Sequence, residues 1–321
     1  MVRPAGADRS IGLQERATGG WRRLMDDSTD VAPDGGTLVA GGSSMEGMTT
    51  ADDVRNDPDS ALVGEELVLG YPTGDQPVID GESVSIPENR VTALVGPNGS
   101  GKSTLLQGLA NQLDPDSGVV TLDGREIQSL GTKELARKLG LLSQESSLPA
   151  SLTVESLAMH GRYPHRGAFD SPTEDDEAAV ERALSLAGVE HLRERTLGSL
   201  SGGQKQLAWI AMALAQDTEV LLLDEPTTFL DLHHQLEVMG IVETLRAESD
   251  VTVVLVLHDL DQAARHAEHM LALADGEIYA HGPPSEVVSE GLLRDVFGVS
   301  ATVEQGERGP HITPHHAVHE D

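Results

Sequence analysis

The chain of 321 residues contains no cysteine. Disulfide staples and thiolate metal sites are therefore excluded, and the fold must rest on its own core. Aromatic residues make up only 2% and there are only four lysines. No apolar run approaches the ~18 residues that a membrane-crossing helix needs, so any work at a membrane is done from its side. Basic charge is scarce as well: 22 Lys and Arg face 53 Asp and Glu, a formal net charge of −31. Such a surface repels nucleic acid and anionic lipid, so no nucleic-acid partner is expected. It suits a high-salt cytoplasm, where carboxylates are screened and hydrated.

What is present begins with Gly96-Pro97-Asn98-Gly99-Ser100-Gly101-Lys102-Ser103-Thr104, a match to the phosphate-binding pattern G-x-x-x-x-G-K-[ST]. The apolar run Val91–Val95 ahead of it reads as a buried strand, and Thr104–Ala110 behind it as a helix. That context lets successive backbone N–H groups converge on an anion at a helix N-terminus. Lys102 is expected to reach the β- and γ-phosphates of a nucleotide, and the Ser103 hydroxyl to bind Mg²⁺.

Residues 1–60 are rich in Gly, Asp, Ser and Thr, lack periodicity and read as a disordered acidic extension. Trp21-Arg22-Arg23 has the look of an export signal, but Asp26–Asp30 follows instead of an apolar segment. A start at Met45 or Met48 would remove most of this extension. Order is expected from Ala61, with Leu67, Leu69 and Tyr71 alternating as a strand and Val78–Ile86 as a second. Val119–Leu122 and Leu139–Ser143 read as strands around a short helix at Lys133–Lys138. Residues 153–192 read as mostly helical, with a helix start at Ser171-Pro172-Thr173-Glu174 and Pro172 in its first turn. Helices at Gly203–Ala215, Leu232–Glu248 and Asp261–His269 then alternate with strands at Val220–Leu223 and Val251–Leu257. This alternation implies an α/β fold with a parallel sheet.

Leu222-Leu223-Asp224-Glu225-Pro226-Thr227 places two carboxylates at the carboxyl end of a buried strand, where open α/β sheets bind ligands. Asp224 is the expected Mg²⁺ partner of Ser103, because one carboxylate beside a hydroxyl suits a cation that keeps its waters. Glu225 would act on the water that attacks the γ-phosphate. Leu200-Ser201-Gly202-Gly203-Gln204 puts a hydroxyl and two bare amides at another helix start, a second anion cradle about a hundred residues on.

With this stretch the sequence resembles the ATP-binding-cassette (ABC) ATPases, over residues 62 to about 300. The resemblance implies a P-loop NTPase (RecA-like) parallel-sheet core with an N-terminal antiparallel β part and a helical subdomain at about residues 150–195, within a domain spanning 61–300. It implies that two copies pair head to tail, so that Ser201, Gly202, Gly203 and Gln204 close on ATP held by the other copy. It further implies that Tyr71 stacks on adenine and that Gln144 contacts Mg²⁺ and the attacking water. His258 would bond the γ-phosphate, and Asp231 would end the loop crossing the pair. Phe229 departs from the family, which usually has a small residue there. Ser147–Arg166 and Thr227–Gln235 resemble subunits that energise uptake of iron–siderophore, haem or cobalamin. The partners so implied are transmembrane permease subunits and, indirectly, a substrate-binding protein, with the chain peripheral on the cytoplasmic face of the cell membrane. A soluble ABC ATPase, serving iron–sulfur assembly or acting on DNA or the ribosome, is the alternative. The end, 301–321, carries His311, His315, His316 and His319, which could bind a transition metal; two prolines and no carboxylate partner favour a solvated tail. His233 and His234 are expected on a helix surface.

Overall fold

The computed structural model describes residues 59–318, apart from 73, 75, 145–147, 168 and 169. The extension expected over residues 1–60 lies outside the described residues, except for its last two. Strands β1 (Ser60–Leu69), β2 (Ile79–Pro87) and β3 (Val91–Val95) lead into helix α1 (Lys102–Leu109). Then come β4 (Ser117–Leu122), β5 (Arg125–Glu126), α2 (Thr132–Lys138) and β6 (Leu139–Leu142). Helices α3 (Val154–His160) and α4 (Glu174–Leu186) follow, and α5 (Gly202–Ala215) returns the chain to β7 (Val220–Asp224). Beyond it lie α6 (Leu232–Glu248), β8 (Thr252–Val256), α7 (Leu260–His266), β9 (His269–Ala274) and β10 (Glu277–Gly282). The chain closes through α8 (Pro284–Val287), α9 (Glu290–Asp295), β11 (Val299–Gly306) and β12 (Gly309–Ala317).

The central sheet runs β10-β9-β3-β8-β7-β6, parallel except for the edge strand β10. β3, β7 and β8 are buried along their whole length, which is why they read as unbroken apolar runs rather than alternating ones. Their side chains still divide by parity. Val91, Ala93, Leu221, Leu223, Val253 and Leu255 face the helical layer of α5, α6 and α7. Leu94, Leu222, Val254 and Val256 face α1 and the antiparallel sheet β2-β1-β4-β5. The parallel sheet is thus sandwiched, and both the phosphate loop and the Asp224-Glu225 pair leave it at the carboxyl ends of its strands.

Four expectations need correction. Tyr71 lies beyond the end of β1, whose alternation breaks at Glu66, held at φ +48. The helix expected over Asp261–His269 stops at His266, and His269–Ala274 is instead a strand of the central sheet. The Asp275-Gly276 turn, with φ +50 and +87, folds β10 back on it as a hairpin. Met, Leu and Ala in that strand are good helix formers, and sheet burial overrides the preference. Pro172 precedes its helix: Thr173 caps α4 and exchanges bonds with Asp176 in a capping box. The segment read as a solvated tail is the hairpin β11–β12, which bonds through the Ile312 N–H to Asp261 Oδ1 on α7. His315 lies 2.8 Å from Thr302 Oγ1, and no group of three or more metal-ligating side chains forms among the described residues.

Helices α3 and α4 pack on α5 through Leu157, Ala158, Val180, Ala183 and Leu184. The join is also polar. Arg162, 6% exposed, pairs with Asp176 at 3.0 Å and donates to the Ala215 carbonyl at 2.9 Å. His165 Nε2 lies 2.7 Å from the Gln216 carbonyl. The His160–Arg166 stretch, singled out for its family resemblance, therefore fastens the helical arm to the far end of α5.

Candidate active site

The phosphate loop packs hard against the sheet. Gly96 sits at φ +150, and a Cβ there would lie 2.2 Å from the Leu273 carbonyl oxygen. Only glycine fits this approach to β9. Lys102 is buried and donates to the carbonyls of Gly96 at 2.9 Å and Pro97 at 2.8 Å. Burial lowers the Lys102 ammonium below its usual range, against the pull of Glu225 and Asp224. At the head of α1 the first amide groups have no partner within the helix. The Ser100 hydroxyl is buried without a hydrogen-bond partner.

β7 delivers the carboxylates. Ser103 Oγ donates to Asp224 Oδ1 at 2.9 Å, joining loop to strand across 121 residues of sequence. Burial raises the Asp224 carboxyl; the Ser103 bond opposes the shift and the neighbouring Glu225 charge adds to it. Glu225 follows at φ +51 and is held by three groups. Gln144 Nε2 donates to its Oε2 at 2.8 Å, Thr228 Oγ1 to the same oxygen at 3.0 Å, and His258 Nε2 lies 2.6 Å from Oε1. Thr228 escaped the sequence reading; its hydroxyl three residues after the glutamate, in a tight turn, was the available signal. Tyr71 stands at the rim, 43% exposed, its hydroxyl 3.3 Å from both Thr104 Oγ1 and Gln107 Oε1.

Lys102, Ser103, Gln144, Asp224, Glu225 and His258 thus converge from four segments. Ser201–Gln204 do not join them: among the described residues no hydrogen bond or ion pair links that stretch to residues 96–104. Ser201 instead caps α5 in a reciprocal capping box with Gln204, both bonds at 3.2 Å, and is exposed. Gly203 is buried beneath His234, whose ring would meet a Cβ at 2.2 Å. His234 also lies 2.8 Å from Asp231 Oδ1, the carboxylate that caps α6. So His233 is exposed as expected, whereas His234 is half-buried and ties Asp231 to the start of α5 at Gly203.

The donors suit a phosphate and a hard divalent cation. Two hard oxygens, Ser103 Oγ and Asp224 Oδ1, stand together, and burial penalises the lone Asp224 charge. Fold and site define a phosphate-loop nucleotide-binding cassette. Comparison with known proteins refines this. The family profile described as ABC transporter matches residues 79–228. The ferric enterobactin transport ATP-binding protein FepC of Escherichia coli (strain K12) is 45% identical over 242 residues, 75% of this chain and 89% of that protein. The cobalamin import ATP-binding protein BtuD of Halobacterium salinarum is 36% identical over 226 residues, 70% of this chain and 56% of that protein. Among solved structures, the dimeric bacterial ABC transporter cassette MJ0796 matches with a TM-score of 0.62 and 29% identity, covering 69% of this chain and 98% of that one. The chain belongs to the ATP-binding subunits of the ABC transporter family.

Proposed function

We propose that this chain is the ATP-hydrolysing subunit of an importer for iron–siderophore, with cobalamin as the second cargo class. The observation that carries it is Glu225, fixed by Gln144, Thr228 and His258 beside the Ser103–Asp224 pair. The cargo rests on the relatives, among them FepC and the siderophore transport protein YusV of Bacillus subtilis (strain 168), 47% identical over 246 residues. Nothing observed favours a soluble role in iron–sulfur assembly or on nucleic acid.

In this reading the amides of Gly96–Thr104 and Lys102 hold the phosphates, and Tyr71 offers its ring to adenine. Ser103 and Asp224, with Gln144, would hold Mg²⁺, which when bound neutralises phosphate charge. Glu225 orients a water in line with the γ-phosphate and takes its proton on a carboxylate oxygen. His258 then turns from Glu225 toward the phosphate. Ser201, Gly202 and Gly203 of a second copy supply the facing cradle, so a lone chain holds half of each site. No helix among the described residues is long and apolar enough to cross a membrane. In this reading permease subunits span it. A groove of about 530 Å³ between α3 and α4 offers them a seat. Met159, Tyr163 and Val180 line it within a rim of mixed charge, where Arg193 pairs with Glu155 and Glu181 and Arg166 and Glu177 stand nearby.

Glu225→Gln tests this directly. The variant should bind ATP, hydrolyse it 10²–10⁴-fold more slowly and accumulate as a dimer. Near-normal turnover refutes the role. Affinity capture of the full chain should bring down a polytopic membrane protein; soluble scaffold proteins in its place would support the alternative.

A further inference from the structure

His258 is a single residue between two fixed points. Before it, Leu257 N donates to the Leu94 carbonyl at 3.1 Å, which ties the chain just past β8 to β3. After it, Asp259 caps α7, its Oδ1 accepting from the Gln262 N–H at 3.0 Å. A residue has only two soft backbone dihedrals, so with the strand side fixed the aim of the His258 ring depends on where α7 lies. Helix α7 has seven residues, too few to hold its conformation by its own bonds. Its neighbours hold it. Thr227 Oγ1, two residues past Glu225, donates to Gln262 Oε1 at 3.1 Å. The hairpin β11–β12 adds two contacts. Its Ile312 N–H donates to Asp261 Oδ1 at 3.2 Å. Its turn residue Gly309, at φ +106, lies so close to α7 that a Cβ would come within 2.6 Å of the Ala264 carbonyl oxygen. Asp261 and Ala264 stand about one turn apart, so the hairpin holds α7 at two successive levels.

We propose that the β11–β12 hairpin positions His258 for its turn toward the γ-phosphate, and that Asp261 is the residue through which it acts. The inference rests on the role given to His258 above. His258 Nε2 lies 2.6 Å from Glu225 Oε1, so in that role its ring leaves one partner for another while its backbone stays in place. A support outside the nucleotide site supplies the fixed pivot. The hairpin is placed for this. Its strands pair only with each other among the described residues, and a lone two-stranded hairpin is marginal in water. Val303 and Ile312 pack on the same apolar layer as Leu260 of α7, and Gln305 Nε2 donates to the Ser285 carbonyl of α8 at 3.3 Å. The hairpin is thus built onto α7 and its surroundings rather than onto the central sheet. Asp261 acts through α7, which makes it a positioning residue and not a catalytic one.

Asp261→Leu removes the acceptor, whereas Asp261→Asn keeps an oxygen in its place. Each is made in the full chain, alone and together with His258→Gln. Steady-state and single-turnover hydrolysis of Mg–ATP, equilibrium ATP binding and thermal midpoints are measured. Asp261→Leu should lower kcat about 10-fold, with KM and ATP affinity within about 2-fold of wild type, because a misplaced reacting group loses rate rather than binding. Asp261→Asn should restore most of that rate. In the His258→Gln background Asp261→Leu should change the rate less than about 2-fold, since residues that act as one unit are not additive. Unchanged kcat in Asp261→Leu overturns the inference. An equal fold-loss in both backgrounds also overturns it, as does a loss of ATP affinity that matches the loss of rate under a lowered midpoint, because either makes the hairpin a general support. Normal turnover by His258→Gln alone overturns the reading of His258 and takes the inference with it, while the roles of Lys102 and Glu225 stand.

Discussion

Gly96–Thr104 and Ser201–Gln204 are both glycine-bearing stretches at the start of a helix, and the fold treats them differently. The first is clamped: Gly96 against β9, Lys102 on the loop carbonyls, Ser103 on Asp224. The second is presented: Ser201 and Gly202 are exposed, with bonds that serve only the helix cap. The first stands at strand ends in a sandwiched sheet, while the second rides on a helix whose hold on the arm includes the Arg162–Asp176 pair. A cradle built to grip needs rigid surroundings. A cradle built to meet a ligand held elsewhere needs an open face.

This contrast can be broken in several ways. The largest effect is expected from Arg162→Ala, which leaves Asp176 buried without its cation and should cost about 3–5 kcal/mol in denaturant unfolding. ATP binding by the chains that remain folded should survive; equal loss of ATP binding would show that the arm and the phosphate loop are not separable. Lys102→Ala should weaken ATP binding to the single chain about 10- to 100-fold by equilibrium binding, the loss of charged hydrogen bonds to phosphate. Ser201→Ala removes a helix cap worth about 1 kcal/mol. It should leave ATP affinity of the lone chain unchanged while lowering turnover at protein concentrations where copies pair. If it lowers single-chain affinity instead, the two cradles act in one chain and the contrast fails.

The smallest effect is a pH dependence. Burial raises the Asp176 carboxyl, but the Thr173 backbone bond, the Arg162 and Thr173 side-chain bonds and the Arg162 charge outweigh it, and the net direction is down. A folded-state value below the unfolded one means that the stabilisation is complete above the ordinary range near ~3.9 and is lost as pH falls through the lowered value. The stability gap between wild type and Asp176→Asn should therefore be flat at neutral pH and shrink only in acid, followed by circular dichroism.

Local chemistry determined much of this protein by itself. The apolar runs at Val91–Val95 and Val220–Leu223, the turn glycines and the strand-end carboxylates specify strand, loop and helix over short spans, so the phosphate loop and Asp224-Glu225 were legible before any fold. The strand His269–Ala274 was not, because its Met, Leu and Ala suit a helix and only a place beside β3 makes them a strand. The hairpin Val299–Ala317 was hidden for the same reason: its pairing partner and its support on α7 lie outside any local window. Tertiary structure alone decided that Gln144, Thr228 and His258 meet on one carboxylate, that Arg162 is a fastener, and that His234 covers Gly203. Sequence spacing encodes what a few residues do to their own backbone. Which distant side chains share an atom is set by how the sheet stacks its strands, and that follows from the packing of the whole core.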